Sequence, residues 1–224
     1  MKTFSILSII SFAFLNLFSS CHRPKNEYVQ MVFKLPLSIT PTTDTISVGD
    51  TLTLEAFFSD NIKEELSGQF YRLQDFDFKT RMGLFKLGDT TLYAGQQAGA
   101  TGAFTITNEI GGFTNLAETF GGISFQYINN VYNLKTKIIA RQKGVFAIAL
   151  FSQLFGKNTQ LNSIDLGQTS SGGKKIAVLN NIRYLFNSGN THFYLYSKNA
   201  KVGNISLPDE RNFETEATYT FVVK

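Results

Sequence analysis

The sequence predicts an all-β sandwich carrying at most one or two short helices, and three observations support that reading. From Thr51 to Phe58 apolar and polar residues alternate, the period of a strand with one face in a core and the other in water. Val145-Phe146-Ala147-Ile148-Ala149-Leu150-Phe151 is a nearly continuous apolar run, as expected of a strand buried on both faces at the centre of a sheet. Further β-branched and aromatic segments are separated by clusters of glycine, asparagine and serine, the usual punctuation between strands.

The first element is not part of that fold. Met1-Lys2 precedes an apolar stretch from Phe4 to Phe18, which closes on Ser19-Ser20-Cys21; charge, apolar core and small residues in that order mark a secretory signal over residues 1–20. A membrane span needs roughly 18 uninterrupted apolar residues, and Ser5, Ser8, Ser11 and Asn16 interrupt this one. Phe18-Ser19-Ser20-Cys21 resembles the lipobox of bacterial lipoproteins, with Phe18 where the family usually has an aliphatic residue. The resemblance implies that Cys21 is lipidated and becomes the first mature residue. Ordinary signal-peptidase cleavage, with Ser19 and Cys21 at the −3 and −1 positions, is the alternative and would release a soluble protein.

Residues 21–26, continuing through His22-Arg23-Pro24-Lys25-Asn26, read as a polar tether, and residues 27–224 as a single mainly-β domain, with two sub-modules as the alternative. Removing 20 of the 224 residues leaves 204, enough for one large β domain. Loss of Lys2 takes the net charge from +4 to +3. No basic run interleaves with aromatics, so nucleic acid is not an expected partner. The chain has a single cysteine, so the mature domain has no internal disulfide. Of the chain's 22 phenylalanines, the 18 that follow the leader, with nine tyrosines, supply the core instead.

Within the domain, Val29 to Phe33 reads as a first, edge-like strand stopped by Pro36 and Pro41. A turn at Gly49-Asp50 then leads into Leu52, Leu54, Ala56 and Phe58 on one face, with Thr51, Thr53 and Glu55 on the other. The stretch Ile46 to Phe58 resembles the opening strands of immunoglobulin-like modules in uncharacterised envelope lipoproteins, which implies an immunoglobulin-like β-sandwich and no particular activity. Further strands are predicted at 69–78, 104–107, 123–128, 132–139, 144–151, 191–196 and 218–223. Residues 115–120 are read as a short helix, and residues 174–186 as either a helix or a strand.

Candidate chemistry is sparse. The glycine-rich stretches 95–102 and 167–175 could cradle an anion, but a strand follows the first and Lys175 stands where a phosphate-binding loop needs Ser or Thr; both read as loops. His192, Tyr194 and Tyr196 alternate along a predicted strand and form a candidate ligand face for a sugar or other flat group. With one cysteine and two histidines in the chain, Cys/His zinc sites and cysteine proteases are excluded by inventory, and no nucleophile-elbow motif is present. The carboxylate pairs Asp75 and Asp77, and Glu64 and Glu65, are the remaining route to glycosidase chemistry. No catalytic, cofactor or metal residue is assigned, and no cofactor is expected.

The sequence is therefore read as a non-catalytic, lipid-anchored envelope protein that binds a protein or glycan partner or serves a structural role. A carboxylate-dependent glycan hydrolase and a soluble secreted binding protein are the alternatives. The expected location is the outer membrane, since His22 is not the aspartate that retains lipoproteins at the inner membrane. The basic stretch after Cys21 favours the periplasmic side.

Overall fold

A computed structural model describes residues 25–88, 98–152, 163–168, 170, 172–200 and 215–224. The leader, Cys21 and His22 lie outside the described residues. The chain separates into two compact units, Met1–Val29 with Ser163–Ala177 and Gln30–Asn162 with Val178–Lys224.

The strands, in chain order, begin with β1 (Glu27–Thr40), β2 (Thr45–Ile46), β3 (Thr51–Ser59), β4 (Asn61–Lys63), β5 (Phe70–Arg72), β6 (Thr80–Leu87) and β7 (Ala98–Gly99). Then come β8 (Phe104–Ile110), β9 (Gly112–Asn115), β10 (Phe120–Ser124), β11 (Gln126–Ile128), β12 (Val131–Ala140) and β13 (Gly144–Ser152). β14 (Ser163–Gln168), β15 (Lys174–Phe186), the helix α1 (Phe193–Asn199) and β16 (Thr218–Val223) complete the described elements. β1 and β15 have residues in both units. In the smaller unit β14 pairs with β15, and the Lys174 amide donates to Asn26 Oδ1 at 3.0 Å.

The larger unit is a sandwich of two sheets. One runs β11-β12-β3-β1-β15, with β8 also on β12; the other runs β2-β16-β13-β6-β10-β9, with β7 also on β6. If β1, β3, β6, β8, β12, β13 and β16 are lettered A to G, these orders contain ABED and CFG, the arrangement of an immunoglobulin-type sandwich. The β4–β5 hairpin, the β9–β10–β11 segment and the β14–β15 pair are elaborations between those strands.

Alternation builds the core. Leu52, Leu54, Ala56 and Phe58 of β3 and Tyr132, Leu134, Thr136 and Ile138 of β12 are buried on one face. The opposite sheet answers with Met82, Leu84, Phe146, Ile148, Tyr219 and Phe221. Phe104 of β8 meets Phe146 at 4.9 Å and Phe221 at 6.0 Å between ring centroids. These aromatic contacts hold the two sheets together. Turn chemistry sets the registers: Asn129 and Asn130 both have positive φ, the two-residue hairpin turn between β11 and β12.

The β13 run lies at the middle of its sheet, as predicted, and α1 explains its second buried face. Phe85, Leu87, Ala147, Ala149 and Tyr196 form one cluster, with Val145, Phe193 and Ala200 packed against it. The helix therefore seals the outer side of β6 and β13.

Several expectations are corrected. Residues 191–196 are not a strand: Thr191 and His192 form a turn and α1 begins at Phe193, because Phe193, Tyr196 and Ala200 recur at helical spacing and find the β13 face to cover. Residues 115–120 are not helical; they end β9, turn, and open β10, with Ala117 N bonded to Phe120 O at 3.0 Å. Residues 174–186 are a strand. The predicted strand 69–78 ends at Arg72, and Asp75 and Lys79 adopt positive φ in the following loop. β1 is not an edge strand and passes through Pro36, because its ladder with β3 starts only at Ser38 and needs no amide from the proline.

Candidate binding surfaces

Of the residues singled out at 192, 194 and 196, α1 turns Tyr196 away, while the His192 and Tyr194 rings stay in edge contact at 6.5 Å between centroids. His192 sits at positive φ ahead of the helix, its Nδ1 3.3 Å from the Thr220 carbonyl and its ring 5.2 Å from that of Tyr219. Tyr194 is 58% exposed and donates from its hydroxyl to Asp44 Oδ2 at 2.5 Å. Tyr196 points the opposite way, is buried, and stacks on Phe193 at 5.0 Å. A helix turns successive residues by about 100° rather than 180°, so the common face expected of a strand is lost. What the fold assembles instead is Tyr194 with Asp44, whose carboxyl is held below the usual carboxylate range first by the tyrosine hydroxyl and then by Thr45. Asp44 carried no signal in the sequence, being 150 positions away from its partner.

The candidate carboxylate pairs do not form facing pairs. Glu64 is buried, with Oε1 accepting from the Val32 amide at 2.9 Å and Oε2 from the Ser67 amide at 2.6 Å. Burial raises its pKa, but these backbone bonds outweigh it and pull the group down to about 2, so it stays ionised and holds backbone. Glu65 is exposed beside it. Asp77 is paired with Lys79 and Asp75 lies exposed in the loop, so neither aims at the other across a cleft.

The glycine stretches are structural where described. Gly99 belongs to β7, and a Cβ there would lie 2.6 Å from the Glu118 carbonyl oxygen, so the glycine permits close backbone packing. In the second stretch Gly167 closes β14 and Lys174 opens β15. Residues 95–97, 169 and 171 lie outside the described residues.

A concavity lies on the outer face of the β1–β3–β12 sheet. It is an open depression of about 400 Å³ lined by Pro36, Ser38, Glu55, Phe57, Asn133 and Lys135, with Ile110 of β8 at its side. Phe57 is 75% exposed, on the side of β3 otherwise made of Thr51, Thr53, Glu55 and Ser59. Beside it Lys135 bridges Glu55 at 3.2 Å and Glu109 at 3.6 Å, and Lys137 also pairs with Glu109. The Lys137 bond, first, and the two lysine charges keep Glu109 below its ordinary pKa. An aromatic plate framed by alternating charges can stack a flat ligand or seat a partner side chain. The sequence did contain a signal for this surface: in Ala56-Phe57-Phe58 the phenylalanine falls on the polar side of the alternation.

No protein-family model matches the chain, and no curated protein matches it.

Proposed function

We propose that this chain is a lipid-anchored envelope protein whose immunoglobulin-type sandwich acts as a non-catalytic binding or structural module. The observation that carries the reading is the position of the only cysteine, directly after the apolar stretch Phe4 to Phe18 and the small residues Ser19 and Ser20. Two or more acyl chains on Cys21 hold a domain stably at a bilayer, which one chain does not. The polar sequence to Asn26 then serves as a leash, and the protein rests at the outer membrane on the periplasmic side.

The partner surface that the geometry supports best is the Phe57 depression, for a protein or glycan ligand. A hydrolase reading finds no support in the candidate acids, since Glu64 is committed to backbone amides and Asp77 to Lys79.

Intact-mass analysis of membrane-extracted protein beside a Cys21→Ala variant tests the anchor. The expected mature mass starts at residue 21 and carries acyl chains that the variant lacks. An unmodified soluble product would replace this reading with a secreted binding protein.

A further inference from the structure

We infer that one end of the larger unit, formed by the tips of the β4–β5 and β11–β12 hairpins, rests in the interfacial layer of a bilayer. The inference builds on the Cys21 anchor proposed above.

Direction of travel locates the tips. β3 runs antiparallel to β1, from Thr53 opposite Thr40 to Glu55 opposite Ser38, so the chain leaving β3 heads toward the beginning of β1. The bridge between Phe33 and Glu64 places the β4–β5 turn level with the first residues of β1 in this unit. Glu65 N bonds to Val32 O at 2.9 Å in the same place. The β11–β12 turn is at that end too, since Val131 pairs with Ser59 and Asp60 N bonds to Asn130 O at 2.9 Å. The larger unit starts at Gln30, nine residues after Cys21. A leash of that length spans at most about 30 Å, so a lipid on Cys21 keeps this end within reach of the membrane.

These tips show the bilayer what an interface accepts. Leu66 is 73% exposed, Phe70 63% and Ile128 49%, while Lys63 and Arg72 are exposed between them. Apolar side chains sink to the boundary of headgroups and acyl chains, and cations stay among the phosphates. Glu65 is the exposed acid at this end; the buried Asp60 is paired with Arg72, and the buried, ionised Glu64 is turned to backbone amides.

The tips are also held in place. Asp60 Oδ2 accepts from Arg72 Nε at 3.0 Å and from the Tyr127 hydroxyl at 2.7 Å, and Arg72 Nη2 donates to Asn130 Oδ1 at 2.8 Å, which ties one hairpin to the other. Glu64 ties the first hairpin to β1. Exposed apolar groups on a braced tip lose little freedom on contact, the condition that favours binding.

The chain contains no tryptophan, so Leu66→Trp provides a single reporter, and Val48→Trp provides a control in the loop between β2 and β3. Each mature chain is reconstituted in vesicles of about three parts phosphatidylcholine to one part phosphatidylglycerol. The expected result is a blue shift of the Leu66→Trp emission that the control lacks. The leaderless chain from residue 22, which cannot carry the lipid, should also partition to these vesicles, roughly tenfold less after Leu66→Glu with Phe70→Glu. Acyl chains in the mass spectrum with an unshifted Leu66→Trp emission would overturn this inference and leave the anchor standing. No acyl chains with a shifted emission would do the reverse. A blue shift that needs no lipid and grows with protein concentration would put a second copy on the tips and also overturn it.

Discussion

The Glu64 carboxylate accepts the Val32 amide at 2.9 Å and the Ser67 amide at 2.6 Å, so one buried side chain both closes the β4–β5 turn and fastens it to β1. Removing it leaves two backbone donors without their acceptor. Glu64→Ala is expected to lower unfolding stability by about 2 kcal/mol at neutral pH, read by urea denaturation.

The same carboxylate gives an acid dependence with a definite sign. Its pKa in the fold is about 2, below the 4.5 of a free glutamate. Its contribution is therefore complete above pH 4.5 and is lost as pH falls toward 2. Glu64→Gln should flatten the stability curve across that interval relative to the parent, and an unchanged slope would show that the carboxylate is not the group responsible.

Two glycines test close packing differently. A Cβ at Gly83 would lie 2.3 Å from the Phe85 ring, which supplies its nearest neighbours, whereas at Gly121 it would lie 2.3 Å from the Phe113 ring and 2.4 Å from the Thr114 carbonyl. Each change to alanine is expected to cost about 2 kcal/mol. Phe85→Leu should recover part of the loss in Gly83→Ala, while Phe113→Leu should not rescue Gly121→Ala, because backbone cannot step aside. Thermal denaturation of the four variants decides it.

Tyr194 and Tyr196 are two positions apart and should behave oppositely. Tyr196→Ala empties the seat of α1 against Ala147 and Ala149 and is expected to cost about 3 kcal/mol. It should also raise hydrogen exchange in β13. Tyr194→Ala removes an exposed ring and should stay within about 1 kcal/mol.

Phe57→Ala is expected to change stability by less than about 0.5 kcal/mol, since the ring is 75% exposed. Equal urea midpoints for parent and variant would show that the ring does not contribute to folding stability and is free to serve as a contact surface. A clear destabilisation would remove the Phe57 depression as a candidate surface.

The interior strands were legible because their period is local. Leu52, Leu54, Ala56 and Phe58 declare a buried face within eight residues, and the apolar run of β13 declares two. The stretch from His192 to Tyr196 was misread for the same reason: apolar and polar residues alternate there as well, and only the recurrence of Phe193, Tyr196 and Ala200 distinguishes a helix. The polar partners were less legible. Nothing near Asp44 announces Tyr194, and nothing near Glu64 announces the Val32 amide, because hydrogen-bond partners are chosen by topology rather than by neighbouring sequence.

By itself, then, the sequence determined the β class, the central position of β13, the core faces of β3 and β12, and the turn at Gly49 and Asp50. All of these follow from side-chain period and from which residues tolerate turn dihedrals. Tertiary structure alone decided that β1 lies between β3 and β15 and that α1 covers the outer side of β13. Those outcomes depend on which surfaces meet across the fold, and burial of apolar area carries no record of sequence distance.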